Sequence, residues 1–237
     1  MVDGRVGREE QRMQRLNIAI DGPAGAGKST VAKAVAARLG IRYLDTGAMY
    51  RAMALWCLRR GVPVHDAEAV GAALPGAEIA VRYTDAGQRV LLSGEDVTDG
   101  LRAPELAMAA SAVSAHPAVR VRLTELQRQV AAQYDVIMDG RDIGTNVLPD
   151  TPHKFYLTAS AYERAKRRFD EMRARGQACG TVEDIAREIA ERDYNDSHRA
   201  FMPLRQADDA VLIDTTGMSI EAVVGEIVRA LGEECDG

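Results

Sequence analysis

A short glycine-rich segment constrains the fold of this chain more than any other part of its sequence. Residues 22–29 fill the pattern G-x-x-x-x-G-K-[ST]; the apolar run at residues 16–20 precedes them and apolar residues at helical spacing follow. A strand, a turn of small residues and a helix in that order let backbone N–H groups surround a polyphosphate. The positive end of the helix dipole then points at the same oxygens. The pattern therefore predicts a nucleoside triphosphate site in an α/β fold.

The residue types in this phosphate loop each have a chemical reason. Small residues avoid Cβ clashes with the phosphates, Lys28 can reach the β- and γ-oxygens, and the Ser29 hydroxyl is placed for Mg²⁺. We expect the triphosphate to be bound by Gly22, Pro23, Ala24, Gly25, Ala26, Gly27, Lys28, Ser29 and Thr30.

Strands and helices are predicted to alternate along most of the chain. Short apolar runs predict buried strands at residues 16–20, 41–44, 134–138, 153–157 and 210–213. Helical spacing of Val31, Val35 and Leu39 predicts a helix that begins at the phosphate loop and is closed by Gly40 as a C-terminal cap. It also predicts helices at residues 48–60, 104–114, 117–132, 161–175, 182–199 and 220–231, with Thr46-Gly47 and Thr181 as N-terminal caps. This alternation indicates a parallel β-sheet with helices on both faces.

Residues 74–110 break the alternation. Two β-rich runs, 79–83 and 90–92, flank a turn-rich segment, and a third short strand follows near residues 96–98. We expect a small inserted β-containing subdomain at about 74–110 within one P-loop domain at 16–237, whose core comprises residues 16–73 and 111–231.

Residues 1–15 are mostly polar and contain no apolar h-region, which predicts a disordered leader and not a signal peptide. The net charge of −5 disfavours a nucleic-acid or membrane-surface binder, and no apolar run is long enough to span a membrane.

The three cysteines form no CxxC pair, so a disulfide framework and a zinc site are not encoded, and we expect a cytoplasmic protein. The small net charge and the absence of surplus amphipathic faces favour a monomer.

A phosphate loop alone leaves three classes of protein open. A GTP-dependent switch would need an Asn-Lys-x-Asp segment, and the sequence contains no Asn-Lys pair. A motor or transporter ATPase would need a strand ending in Asp-Glu, whereas Asp139 is followed by Gly140. A small-molecule kinase needs a second anion site and a mobile basic lid.

Several charged segments meet the requirements of a kinase. Thr46 and Arg51, after the second strand, could hold a second phosphate, although a plain cap and a surface charge would explain them too. Arg141 and Asp142 follow the strand that ends at Asp139, at the sheet edge where ligands gather in α/β proteins, and Asp139 could orient a Mg²⁺-bound water.

Two helices carry further candidates. Arg192, Asp196 and Arg199 share one helix face, where they form either a phosphosugar site or an internal salt-bridge ladder. The basic helix at 161–175 precedes Gly176 and suits a lid at about 161–182 that places Arg164, Arg167 and Arg168 on the triphosphate.

The ordered set of motifs resembles bacterial cytidylate kinases from about Leu16 to Leu231. It comprises GPAGAGKST (22–30), LDTGAMYR (44–51), GEDVT (94–98), HPAVR (116–120), DGRDIGT (139–145), ERDYNDSHR (191–199) and IDTT (213–216). The resemblance implies transfer of a phosphoryl group from ATP to CMP and dCMP.

The resemblance also implies residue roles. Ser111 and Arg120 would read the cytosine edge with help from Asp142, and Arg192 and Asp196 would face the ribose. The acceptor phosphate would be held by Arg51, Arg141 and Arg199. The expected catalytic residues are Lys28, Arg141, Arg192 and Arg199. Thr46 stands where many relatives have serine. Kinases for UMP, shikimate or gluconate and a non-catalytic ATP-binding module remain alternatives.

Overall fold

The computed structural model describes residues 15–174, 176 and 180–235. Its strands are β1 (Asn17–Asp21), β2 (Arg42–Asp45), β3 (Ile79–Thr84), β4 (Gly87–Leu92), β5 (Glu95–Asp96), β6 (Val136–Asp139), β7 (His153–Thr158) and β8 (Val211–Asp214). Its α-helices are α1 (Lys28–Leu39), α2 (Thr46–Arg59), α3 (Ala67–Ala73), α4 (Pro104–Ser114), α5 (Pro117–Gln133), α6 (Ala161–Ala174), α7 (Val182–His198) and α8 (Ile220–Cys235).

Five parallel strands form the central sheet in the order β2-β6-β1-β7-β8. The register pairs Ile20 of β1 and Asp45 of β2 with Asp139 of β6, so three strands end at one sheet edge. From β1 the chain continues to β2 at one end of this strand order, whereas from β6 it continues past β1 to β7, toward the opposite end. Ligands gather in the crevice at such a reversal point.

Both faces of the sheet are buried, as the apolar runs predict. Ile18 and Ile20 of β1 pack with α1 and α8 in one hydrophobic core, whereas Ala19, between them, packs with α2, α4 and α5 in another. Successive side chains of a strand point to opposite faces, so continuous apolar strands suit a sheet that helices cover on both sides. The predicted fold class is confirmed.

A three-stranded antiparallel sheet, β3-β4-β5, lies between α3 and α4 in sequence. Its apolar side chains, including Ile79, Val90 and Leu92, are buried in the same core as Met49 and Met53 of α2. The hairpin predicted from the turn-rich segment is thereby confirmed, and it packs beside the helix that begins at the sheet edge.

Most predicted helix ends agree with the structure. Gly40 ends α1 in the left-handed conformation, and Thr181 forms a capping box with Asp184 at the start of α7. Arg199 lies one residue beyond α7. The sequence did not predict α3 or the π-helical turn Ile143–Val147.

The predicted Thr46-Gly47 cap is wrong. Asp45 caps α2 by accepting a hydrogen bond from the Ala48 N–H at 2.9 Å, so the helix begins at Thr46 and not at Ala48. Thr46 does not take this position because it already lies within the first turn of the helix and its hydroxyl is directed at the Asp139 carbonyl, to which it donates. The predicted leader lies outside the described residues up to residue 14. No described helix has the length and hydropathy needed to cross a membrane.

Candidate active site

The phosphate loop joins β1 to α1 at the sheet edge. Gly22 has a φ of +143°, and a Cβ there would lie 2.0 Å from the Leu157 carbonyl oxygen of β7, so only glycine fits. Gly27, also at positive φ, precedes the first turn of α1. The loop thus places the N-terminus of α1, with its unpaired N–H groups, at the end of the central strand.

Lys28 is the buried cation of this loop. Its side chain is 5% exposed, and its Nζ donates to the Pro23 carbonyl at 2.7 Å. Burial, followed by the positive charge of Arg141, lowers the pKa of Lys28 well below its usual value, whereas Asp139 opposes this shift. A bound anion would stabilise the charged form of a lysine in these surroundings.

Asp139, at the end of β6, has both carboxylate oxygens occupied. Ser29 Oγ donates to one oxygen at 2.7 Å and Tyr43 Oη donates to the other at 2.7 Å. Burial, and then Asp45, raises the pKa of Asp139. A hydroxyl beside a carboxylate fits Mg²⁺, which prefers oxygen ligands and is usually bound by one or two carboxylates together with substrate phosphates. The sequence analysis did not find Tyr43, which acts across 96 residues of sequence.

Thr46 contacts the backbone of Asp139. It is buried, and its hydroxyl donates to the Asp139 backbone carbonyl at 2.6 Å. Its neighbour on the next turn, Arg51, forms an ion pair of 2.8 Å with Asp45. The first turn of α2 is therefore tied to the end of β6.

An ion network lies next to the loop. Asp142 pairs with Arg120 at 2.5 Å and lies 3.5 Å from Arg199, while Asp196 accepts from Arg141 at 2.9 Å and lies 3.5 Å from Arg199. These residues come from α5, the β6 edge and the end of α7, and the structure brings them together. Of the salt-bridge ladder that the spacing within α7 also allowed, the structure shows the pair of Asp196 and Arg199 at 3.5 Å, but Asp196 lies closer to Arg141, which is far away in sequence.

The acceptor network (Arg120, Arg141, Asp142, Arg192, Asp196 and Arg199) contains more arginines than carboxylates. Burial, and then Arg141, lowers the pKa of Arg192 to about 10, and burial lowers the pKa of Arg199. Nε of Arg192 is buried with no hydrogen-bond partner among the described residues. Buried donors and excess positive charge in one place favour an anion.

Arg120 connects this network to α4, which carries Ser111, the other residue expected at the base edge. Arg120 is 2% exposed and also donates to the Ser114 carbonyl, at 3.4 Å. Ser114 Oγ in turn donates to the Ser111 carbonyl, which places Ser111 one turn away on α4. The ring of Tyr50, which we did not predict as a site residue, lies 5.6 Å from the Arg120 guanidinium, and burial raises the pKa of Tyr50 to about 12.

The three arginines of the predicted lid have different surroundings. Arg164 donates to the Ala24 carbonyl at 2.9 Å and pairs with Asp193, while Arg167 donates to the Thr215 carbonyl and hydroxyl at 2.7 and 2.9 Å. Arg168 lies close enough to Arg192 for its charge to lower the Arg192 pKa. Arg164 therefore lies against the phosphate loop. Cys179 of the predicted lid is outside the described residues.

Comparisons with known proteins agree on one family. A family model for cytidylate kinase matches residues 18–233. A cytidylate kinase of Caldicellulosiruptor bescii is 49% identical over 92% of this chain and 96% of its own length. One from Symbiobacterium thermophilum is 50% identical over 91% and 96%. A solved structure of an uncharacterized protein from Eubacterium ventriosum covers 92% of this chain and 99% of its own, with a TM-score of 0.51 and 13% identity, which is a likeness of fold alone.

Proposed function

Because this chain belongs to the cytidylate kinase family, it phosphorylates CMP and dCMP with ATP, and we propose that two facing anion sites divide this work. The observation that carries the division is electrostatic. Arg141 and Arg192 of the acceptor network both lower the pKa of Lys28, so the cations of the two sites lie close enough to interact, as phosphoryl transfer from one site to the other requires.

The donor site is the phosphate loop. Gly22 to Thr30 would hold the ATP phosphates through backbone N–H groups, with Lys28 on the β- and γ-oxygens. Ser29 and Asp139 would hold Mg²⁺, Asp139 through a water. When bound, Mg²⁺ neutralises charge on the phosphate oxygens. Arg164, Arg167 and Arg168 belong to a lid at about 161–182 that would cover this site.

The acceptor site is the ion network together with the start of α2. Ser111, Arg120 and Asp142 would contact the cytosine edge, and Arg192 and Asp196 would contact the ribose. The CMP phosphate would be held by Arg51, Arg141 and Arg199, with Thr46 beside them. An incoming phosphate would then pair with arginines that already exceed the local carboxylates.

The reaction follows from this arrangement. A CMP phosphate oxygen attacks the γ-phosphorus; the new O–P bond forms as the bond to the ADP oxygen breaks. That oxygen is already ionised at neutral pH, so alignment and charge neutralisation matter more than a general base. The negative charge on the reacting phosphates would be neutralised by Lys28, Arg141, Arg192 and Arg199. The lid would keep water away from ATP.

Finer features of the protein are part of the same proposal. The β-containing insert at about 74–110 lies on the acceptor side, and Gln88 of β4 supports this by bonding both backbone groups of Asp45 at the α2 start. We also propose a cytoplasmic monomer. Cys57, which is buried and free, is consistent with a reducing compartment.

A coupled assay for ADP release tests the function. CMP and dCMP should give rapid ADP release, and UMP or AMP much slower release. ADP release that is equally fast without any nucleotide acceptor would indicate an ATPase and contradict the proposal.

Arg199→Ala tests the acceptor role of the network. We expect turnover to fall about 100-fold, as for other preorganised donors, while the KM for ATP stays near its wild-type value. Equal losses in turnover and ATP affinity would place Arg199 on the donor side.

A further inference from the structure

Both backbone groups of Ala24, in the middle of the phosphate loop, are bonded by side chains of the α6–α7 hairpin. The Ala24 N–H donates to Asp193 at 2.9 Å, and the Ala24 carbonyl accepts from Arg164 at 2.9 Å. Arg164 and Asp193 also pair with each other, and Arg164 Nε donates to the Ala159 carbonyl at 3.1 Å. We call these three residues, Ala24, Arg164 and Asp193, the Ala24 clamp.

Apolar packing reinforces the Ala24 clamp. Ala24 forms a separate buried cluster with Ala165 of α6 and with Ile185 and Ile189 of α7. A Cβ on Gly25 would lie 2.9 Å from the Arg164 backbone oxygen, so the loop and α6 are in close contact. The loop is therefore fixed to the hairpin through hydrogen bonds, an ion pair and packing together.

Helix α7 also carries two residues of the acceptor network. Asp193 follows Arg192 directly and precedes Asp196 by three residues, so one rigid turn of helix holds groups for both anion sites. The Asp193 carboxylate contacts Ala24 and Arg164, whereas Arg192 and Asp196 lie with Arg141. Any ligand that fixes this turn also fixes the Ala24 N–H.

We propose that Asp193 is a positioning residue that couples the two substrates: CMP on Arg192 and Asp196 orders α7, and α7 orders the phosphate loop for ATP through the Ala24 clamp. This inference rests on the proposed function. It requires a reciprocal effect, in which each nucleotide tightens the binding of the other by the same factor. Coupled sites in proteins commonly change each other's affinity about 5- to 150-fold.

Calorimetry on the full chain tests the coupling. A non-hydrolysable ATP analogue with Mg²⁺ would be titrated with and without saturating CMP, into the wild-type chain and into Asp193→Asn. Asparagine keeps the shape but loses the charge that pairs with Arg164. We expect the wild-type coupling factor to fall toward one in the variant, with CMP binding alone near its wild-type value. Glu188→Gln removes one exposed charge from the same helix and should keep the wild-type factor.

Other results would overturn the inference. A wild-type coupling factor in Asp193→Asn would do so, and so would a wild-type chain with no coupling. If thermal melting shows that Asp193→Asn does not fold, Arg164→Met, which removes the other partner of Ala24, is expected to give the same loss of coupling. An unchanged factor there counts against the inference. A wild-type chain that binds no CMP would refute the proposed function instead.

Discussion

The proposed donor and acceptor sites of this kinase are built in opposite ways. The proposed donor site is one uninterrupted segment, Gly22 to Thr30, which would rely on its backbone groups and on the buried cation Lys28. The acceptor network draws charged side chains from several distant segments, and these side chains pair with one another. We therefore expect the residues of the acceptor network to stabilise the fold as well as to bind the ligand, whereas Lys28 would serve the ligand at some cost to the stability of the fold.

Asp142→Ala should show the largest effect of this difference. Asp142 is buried and pairs with Arg120, which is 2% exposed. Removing one partner of a buried ion pair leaves an uncompensated charge, so we expect the free energy of unfolding to fall by about 3–5 kcal/mol. Urea denaturation measures this. Asp99→Ala, which removes an exposed partner of Arg89, should change stability little. Equal losses in both variants would contradict the comparison.

Asp21 connects the two sites and predicts a pH dependence. Its carboxylate oxygens accept the Ile143 and Gly144 N–H groups, at 2.8 and 2.7 Å, just after the acceptor residue Asp142. Burial, with a smaller contribution from the charge of Asp142, raises the pKa of Asp21 from 3.8 to about 7, although the two backbone hydrogen bonds and Lys28 oppose the shift.

The folded chain therefore binds this proton more tightly than the unfolded chain. The contribution of this proton to the free energy of unfolding is fully present below about pH 4 and is lost as the pH rises through about 7. The stability of the wild type relative to Asp21→Asn should fall by about 4 kcal/mol over this range. Urea denaturation at several pH values tests the slope. A difference that is constant with pH would show that Asp21 does not titrate there.

Lys28→Met should have opposite effects on activity and on stability. We expect turnover to fall about 100- to 1000-fold because a preorganised cation at the phosphates is lost. The free energy of unfolding should stay the same or rise, since burial lowers the pKa of this lysine and so disfavours its charge. The coupled assay and urea denaturation measure the two effects. Arg38→Met, at an exposed position of the same helix, should change neither. A large loss of stability in Lys28→Met would show that both sites support the fold alike.

The same contrast explains what the sequence could predict. The phosphate loop, the central strands and the Gly40 and Thr181 helix ends depend on neighbouring residues, so spacing and residue type predicted them. The roles of Ser111 and Arg120 came only from the family resemblance, because no local pattern connects α4 and α5 to a base.

Long-range contacts account for what the sequence did not show. Tyr43 on Asp139, Asp193 on Ala24 and Asp21 on the π-helical turn join residues roughly a hundred positions or more apart. The wrong prediction of the α2 cap has a similar origin. The Thr46 hydroxyl contacts Asp139 of a strand distant in sequence, and Asp45 is the residue that caps the helix. Local spacing contains no information on such pairs.

Gln88→Ala tests whether the β-containing insert belongs to the acceptor side, and its effect should be the smallest. Gln88 accepts from the Asp45 N–H at 2.7 Å and donates to the Asp45 carbonyl at 3.3 Å, while Asp45 caps α2 and pairs with Arg51. Each hydrogen bond contributes about 1 kcal/mol, so we expect a modest rise in the KM for CMP and none in the KM for ATP.

Steady-state kinetics with each substrate varied would measure both KM values. Arg59→Ala breaks an exposed ion pair with Glu95 of the same insert and should alter neither KM. If Gln88→Ala raised the KM for ATP instead, the insert would act on the phosphate loop. The donor site, built from backbone groups, and the acceptor site, built from side chains, would then not be independent. A change in the insert would reach both sites through β2 and α2.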